Sequence, residues 1–419
     1  MQTELEEAFE TLSAWCRARD YAGHDPFDAL NSPLFQSTPL RRSRLARLAW
    51  TQAFKRSPFN LRRLVGVPAE RNAKGTALFA LAALARHRTL RKPGTEDEAR
   101  ALLDALLEAR LELPGGANAW GYNFDWQGRA FYAPRGTPTV VPTAFAVRAL
   151  AEASRLFREK KSSVMQTSSA EDSTGAEGST GGASVSYLDA ARRACRFILE
   201  ELNRTDETTD EVCFSYTPLD RTRVFNASLL AGETLATVGE LTGETDLCEW
   251  GLRAARYVAR RQRADGSWAY GADSYQSWSD NFHTAFILTS LSRILKATGD
   301  ADQELTSSLR RGYAFWRERF FLADGWPKYY HSSAYPADTH SAAASIVAFV
   351  ELRDTDEGAL AQALTVARWT LREMRDPRRG FFYYQRRRFQ IVRTPYMRWS
   401  QAWMLYALAR LLEMMNAAV

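Results

Sequence analysis

The chain has 419 residues, 45% of them hydrophobic and 25% charged, with a net charge of +6. These proportions suit a globular protein with a large core, and the acidic residues spread through most helical segments argue against a nucleic-acid binder. No stretch approaches the roughly 18 apolar residues a spanning helix needs, so no membrane span is expected. The acidic start Met1-Gln-Thr-Glu-Leu-Glu-Glu lacks the pattern of a signal peptide. Cys16, Cys195, Cys213 and Cys248 show neither paired spacing nor a zinc pattern. A reduced, cytoplasmic protein without metal or organic cofactor is the expectation.

Helical periodicity dominates in chain order. Residues 3–20, 40–56, 73–87, 96–111, 142–158, 187–203, 226–242, 246–262, 281–297, 302–319, 340–353, 357–375 and 398–415 carry apolar residues at i, i+3, i+4 spacing. Segment 160–185 is rich in Ser, Thr, Gly and Glu and cannot bury enough surface to offset ordering entropy, which predicts a flexible insertion. One domain spanning 1–419 is expected, since a repeat continues on both sides of it.

That repeat is an aromatic-tyrosine cluster followed by an alanine-rich helix. The clusters are Trp120-Gly-Tyr122, Phe214-Ser-Tyr216, Trp268-Ala-Tyr270, Trp326-Pro-Lys-Tyr329 and Phe381-Phe-Tyr383, the last four about 55 residues apart. Phe59-Asn-Leu before Asn72 adds a weaker sixth unit. Six helix pairs predict an all-α closed ring, an (α/α)6 toroid, whose long aromatic loops emerge at one end and line one cleft. Short ribbons at those loop tips are the only strands expected.

Gln262-Arg-Ala-Asp265-Gly266-Ser-Trp268 resembles the Q-x-x-x-G-x-W repeat of squalene cyclase and prenyltransferase toroids, with Asp324-Gly325-Trp326 a partial copy. There the motif ties helix ends together, so the resemblance implies the toroid and not the reaction. The stretches Gly23-His-Asp25-Pro-Phe-Asp28-Ala-Leu-Asn31, Lys55-Arg-Ser-Pro-Phe-Asn60, Gly121-Tyr-Asn-Phe-Asp125 and Trp278-Ser-Asp280-Asn-Phe-His283 resemble uncharacterised, six-hairpin-glycosidase-like toroids of bacterial polysaccharide-biosynthesis clusters.

One inner-helix position repeats as Asn72, Thr143, Asn226, His283 and His340. Asn and Thr there can simply cap the helix. Two histidines in successive units suit proton shuttling near neutral pH, and their placement is similar to that in toroidal sugar epimerases of the acylglucosamine type. Rim carboxylates are Asp25, Asp28, Asp125, Asp220, Asp273, Asp280 and Asp338; glycoside hydrolysis needs two of them facing across a bond, about 5–9.5 Å apart, and Asp125 with Asp280 is the favoured pair. His283, His340, Asp280, Asp125, Tyr270 and Tyr216 are therefore the catalytic candidates. Trp120, Tyr122, Asn226, Trp268, Trp278, Trp326, Tyr329, Tyr383 and Arg398 are the substrate-binding candidates, aromatic faces for sugar rings and a guanidinium for carboxylates.

These residues predict a ligand that is a bacterial polysaccharide or oligosaccharide, uronate-containing ones included, acted on by hydrolysis, lysis or epimerisation. A terpenoid-cyclase-like enzyme is one alternative, weakened by the absence of a D-x-D-D cluster. A non-catalytic saccharide-binding component of a polysaccharide-synthesis system is the other.

Overall fold

The computed structural model describes residues 1–168, 186–299 and 302–417. In chain order the helices are α1 (Gln2–Arg17), the short α2 (Pro33–Gln36), α3 (Arg44–Arg56), α4 (Ala73–Leu90), α5 (Pro93–Glu108), α6 (Val140–Ser168) and α7 (Tyr187–Arg196). They continue with α8 (Phe225–Thr242), α9 (Thr245–Ala259), α10 (Asn281–Thr298), α11 (Gln303–Arg319), α12 (Thr339–Glu351), α13 (Ala359–Met374) and α14 (Trp403–Ala417). Every segment expected from periodicity overlaps one of them. The proposed insertion lies mostly outside the described residues; its first positions, to Ser168, continue α6.

Helices α4, α6, α8, α10, α12 and α14 pack each on the next, and α14 packs back on α4. The ring is thereby closed. Helices α5, α7, α9, α11 and α13 back the first five inner helices, and α1 backs α14. The N-terminal helix, which the repeat count leaves unpaired, is thus the outer half of the sixth hairpin. Composition explains the two layers. The inner helices α4, α8 and α12 are buried almost all round, as a helix apolar on every side must be. Outer helix α1 buries a single stripe, Leu5, Ala8, Phe9, Leu12 and Cys16.

All six inner helices run the same way and are joined, from about two turns in, by largely buried charge. Glu233 accepts from Arg148 at 2.7 Å, Arg293 at 2.9 Å and Ser290 at 2.7 Å. Arg293 also pairs with Glu351, and Arg88 of α4 bridges Glu152 of α6 and Glu413 of α14. These ions link every inner helix below the first turns that face the loops.

The aromatic loops carry short antiparallel pairs: β1 (Leu111–Glu112) with β2 (Asn118–Ala119), β3 (Trp126–Gln127) with β4 (Tyr132–Ala133), and β5 (Arg204–Glu207) with β6 (Val212–Phe214). A three-stranded ribbon joins β7 (Ala337–Asp338), β8 (Gln385–Arg386) and β9 (Ile391–Val392). The Q-x-x-x-G-x-W stretch does structural work. Gln262 donates to the carbonyls of Gly266 and Ser308, both at 2.9 Å, tying the end of α9 to α11. Gly266 has φ +88°, and a Cβ there would lie 2.7 Å from the Arg311 carbonyl oxygen, so no other residue fits.

Candidate active site

At the loop end the ring encloses a cavity of about 420 Å³. Each inner helix contributes its first turn: Lys74 from α4, Val141 from α6, Asn226 from α8, His283 from α10, His340 from α12, and Arg398 and Trp399 from the π-helical turn (Met397–Ala402) that leads into α14. Tyr122, Tyr216, Tyr270 and Tyr329 hang over them from the loops.

The repeated clusters divide their labour. The leading aromatic turns into the wall: Trp120 is fully buried and donates to the Leu106 carbonyl at 2.7 Å, and Trp268 donates to that of Val258 at 2.9 Å. Trp326 donates to the Ala334 carbonyl and packs on Trp369. In extended backbone, side chains two apart share a face, so a leading aromatic and the residue two on would point together. The loops break that pattern, and only the tyrosine reaches the cavity. Trp120, Trp268 and Trp326 are consequently anchors and not sugar platforms. Tyr383 also misses the cavity, its hydroxyl turned to Asp376, and Gln385 takes its place. Trp278 does line the cavity, stacked on Tyr270 at 4.7 Å between ring centres.

Asp280 caps α10 through the His283 amide at 3.0 Å, and its other oxygen lies 2.7 Å from His283 Nδ1. It also accepts from the Trp278 indole at 3.2 Å. A carboxylate so placed accepts the Nδ1 proton, which leaves the Nε2 lone pair as a base. The half-buried His283 ring stands edge-on to Tyr270 at 4.7 Å.

His340 is almost wholly buried, stacked on Phe282 at 4.5 Å and edge-on to Trp399 at 4.2 Å. Among the described residues neither ring nitrogen has a hydrogen-bond partner. Burial, then the nearby Lys74 and Arg398 charges, holds its pKa well below the ordinary histidine value, so the ring is neutral near pH 7. Asn226 Oδ1 is likewise buried and unpartnered. An orphaned buried polar atom costs about 1–3 kcal/mol, and these orphans belong to side chains that line the cavity.

Lys74 was not a candidate from sequence. It is buried among the rings of Phe145, Phe286 and Trp403, with Nζ 4.4, 5.2 and 5.4 Å from their centres. It has no carboxylate partner among the described residues. Burial, then Arg398 and Arg148, pushes its pKa well down. Its signal was legible: a single lysine two residues after the Asn72 cap in a helix otherwise uncharged as far as Arg86. Arg398 forks onto Asp25 at 2.7 and 2.8 Å while lying 5.2 Å from the Tyr122 ring centre.

The remaining candidates hold the rim. Asp125 does not reach the cavity; it accepts from Tyr132 at 2.6 Å, Gln36 at 3.2 Å and the Arg135 amide at 2.8 Å, fixing the β3–β4 loop. Asp28 binds Arg62, Asp220 clamps the 217–222 turn, Asp273 pairs with Arg223, and Asp338 caps α12. Asn72 caps α4, and Thr143 tethers the Trp120 amide at 2.9 Å. Among the described residues, Asp280 is the single carboxylate lining the cavity, against Lys55, Arg56, Lys74, Arg129, Arg387 and Arg398. No group of three or more His, Cys, Asp or Glu among the described residues could hold a metal ion.

No protein-family model matches the chain, and no curated protein matches it in sequence. Among solved structures it is similar to the cellobiose 2-epimerase from Bacillus thermoamylovorans B4167, with TM-score 0.61 and 16% identity over 84% of this chain and 90% of that one. It is similar to a D-mannose isomerase, with TM-score 0.57 and 12% identity over 82% and 87%. An unsaturated glucuronyl hydrolase specific for heparin gives TM-score 0.58 and 12% identity over 99% and 97%. At these identities the likeness is one of fold: the chain is an (α/α)6 toroid, an architecture it shares with carbohydrate-active proteins of differing reactions.

Proposed function

We propose that the chain is a carbohydrate-active enzyme that moves a proton at a carbon of a bacterial saccharide, epimerising or isomerising it inside the toroid cleft. The observation that carries this reading is a pair of cavity histidines on neighbouring inner helices, one backed by Asp280, the sole carboxylate among the described residues that line the cavity. His283 Nε2 removes the proton from the carbon beside a sugar carbonyl, and the resulting imidazolium is held by Asp280. The electron pair moves onto the carbonyl oxygen, giving an enediolate that the neutral His340 N–H, Lys74 and Arg398 can stabilise. A proton returned to the same carbon from the opposite face gives an epimer; one returned to the neighbouring carbon, with the hydroxyl proton passed between the two oxygens, gives an isomer. Tyr122, Tyr216, Tyr270 and Tyr329, with Trp278, supply faces and hydroxyls for the sugar.

Two-carboxylate hydrolysis is less well supported, because Asp125 is committed to its own loop. Carbocation cyclisation is disfavoured by cations in the lining. A binding-only role uses the same contacts without turnover. Incubation of reducing and uronate-containing oligosaccharides in D2O tests the proposal: carbon-bound deuterium in recovered sugar is expected. New reducing ends without carbon-bound deuterium would establish hydrolysis instead, and binding with neither product would leave only the binding role. Unsaturated product absorbing in the ultraviolet would redirect the same abstracted proton to a lyase outcome.

A further inference from the structure

Residues 29–69 contain eight Lys or Arg and no Asp or Glu. The same segment, with one hairpin tip, holds most of the large apolar side chains that stand in solvent. Of the twelve exposed ones among the described residues, Leu34, Leu40, Leu45, Phe59, Leu61 and Leu64 lie here, and Phe389, at 90% exposure, tips the Arg386–Arg393 hairpin. Scattered single leucines on a surface need no explanation, but a concentration does.

The segment is one piece of surface. Helix α2 packs on the 62–65 turn, α3 packs on the 39–42 turn, and Ser32 donates to the Val65 carbonyl at 2.7 Å. Arg387 donates to the Arg56 carbonyl at 3.1 Å, which sets the hairpin against the end of α3. The patch adjoins the cavity mouth, because Leu48, Gln52, Lys55 and Arg56 of α3 and Arg387 of the hairpin line it. Arg41, Arg42, Arg44, Arg56, Arg63 and Arg388 stand exposed or at its margin without a carboxylate partner among the described residues.

We infer that this rim docks on an anionic lipid bilayer surface, turning the cavity mouth toward it. Leucine and phenylalanine side chains standing beside unpaired arginines match an interfacial surface: the apolar groups enter the acyl boundary while guanidinium forks take headgroup phosphates. A nucleic acid would answer the arginines but leave the leucines without a partner. Peripheral docking requires no spanning helix, and among the described residues none is long and apolar enough to cross a membrane. The inference stands apart from the proton-transfer reading, since it concerns the rim and not the histidines.

Flotation of the full chain with vesicles tests it. Strong partition to phosphatidylglycerol mixed into phosphatidylcholine is expected, with little to phosphatidylcholine alone and a loss on adding salt. Arg41→Gln, Arg42→Gln and Arg63→Gln should each lower the partition coefficient about fivefold. Leu64→Asp with Phe389→Asp should abolish flotation while circular dichroism and the thermal transition stay unchanged. Leu322→Asp with Arg310→Gln, outside the patch, should leave flotation intact. Absence of flotation, flotation indifferent to the rim substitutions, or binding of a DNA oligonucleotide in preference to the vesicles would each overturn the inference.

Discussion

Lys74→Met should stabilise the fold and destroy its function. The lysine sits 2% exposed among three aromatic rings, with no carboxylate partner among the described residues. Methionine has a similar length, and its thioether packs well against aromatic rings. Replacing a buried ion pair by well-packed apolar groups is neutral to about 1–4 kcal/mol stabilising, and an ammonium buried without an acid should gain on that scale. Cation–π contacts offset some of the penalty, about 2 kcal/mol when desolvated, so a gain near the middle of the range is the expectation.

The pH dependence separates this cause from better packing. Burial lowers the folded-state pKa of Lys74, so between that value and the ordinary lysine value of about 10.4 the folded chain binds fewer protons than the unfolded chain. Stability attributable to this residue therefore rises with pH across that window and is lowest below it. Urea titrations of the wild type and Lys74→Met, followed by tryptophan fluorescence, should show the variant's advantage shrinking as the pH climbs toward 10. An advantage constant with pH would refute the electrostatic account. A variant less stable than the wild type would refute the premise that the ammonium is a burden on the fold.

Other consequences can be checked directly. Asp280→Asn keeps a capping side chain for α10 but loses the carboxylate that accepts from His283 Nδ1; turnover should fall about 10²–10⁴-fold with the thermal transition little changed. Glu233→Gln leaves Arg148 and Arg293 with a neutral partner inside the ring and should cost about 3–5 kcal/mol in a urea titration. Burial raises Asp338 from 3.8 to about 6, so the folded chain binds more protons between those values and stability declines as pH rises through them. Asp338→Asn should flatten that slope in denaturation midpoints measured across the window.

The ring was legible because its signal is periodic at two scales. Helical spacing located the inner and outer layers, and the 55-residue return of an aromatic and a tyrosine counted the units. What periodicity does not carry is which way a side chain turns at a loop. Trp120, Trp268 and Trp326 have the composition of sugar platforms, yet their indole N–H groups each find a carbonyl in the wall, the least costly place for a large ring with one donor. Asp125 sits in an aromatic sequence neighbourhood that suggested a perturbed acid, but three local donors occupy it. The histidines were found because polar residues at an equivalent helical position stand out against alanine and leucine. Lys74 lies two residues beyond its unit's equivalent position, Asn72, and so fell outside the column being compared.

The electrostatics of the cavity follow from the topology before any side chain is considered. Six parallel inner helices bring six N-terminal first turns to one space, each carrying roughly half a positive charge from its unsatisfied N–H groups. Asp280 and Asp338 answer that field at α10 and α12 as caps. Lys55, Lys74 and Arg398 in the lining add cationic groups; beyond burial, Arg398 and Arg148 lower the pKa of Lys74, and Lys74, Arg398, His283 and Lys55 lower that of His340. Such a cavity opposes any reaction that develops positive charge on the substrate, oxocarbenium and carbocation alike. It favours one that develops negative charge beside neutral donors. Proton abstraction to an enediolate meets that requirement, and the ring would supply its stabilisation in advance of the substrate.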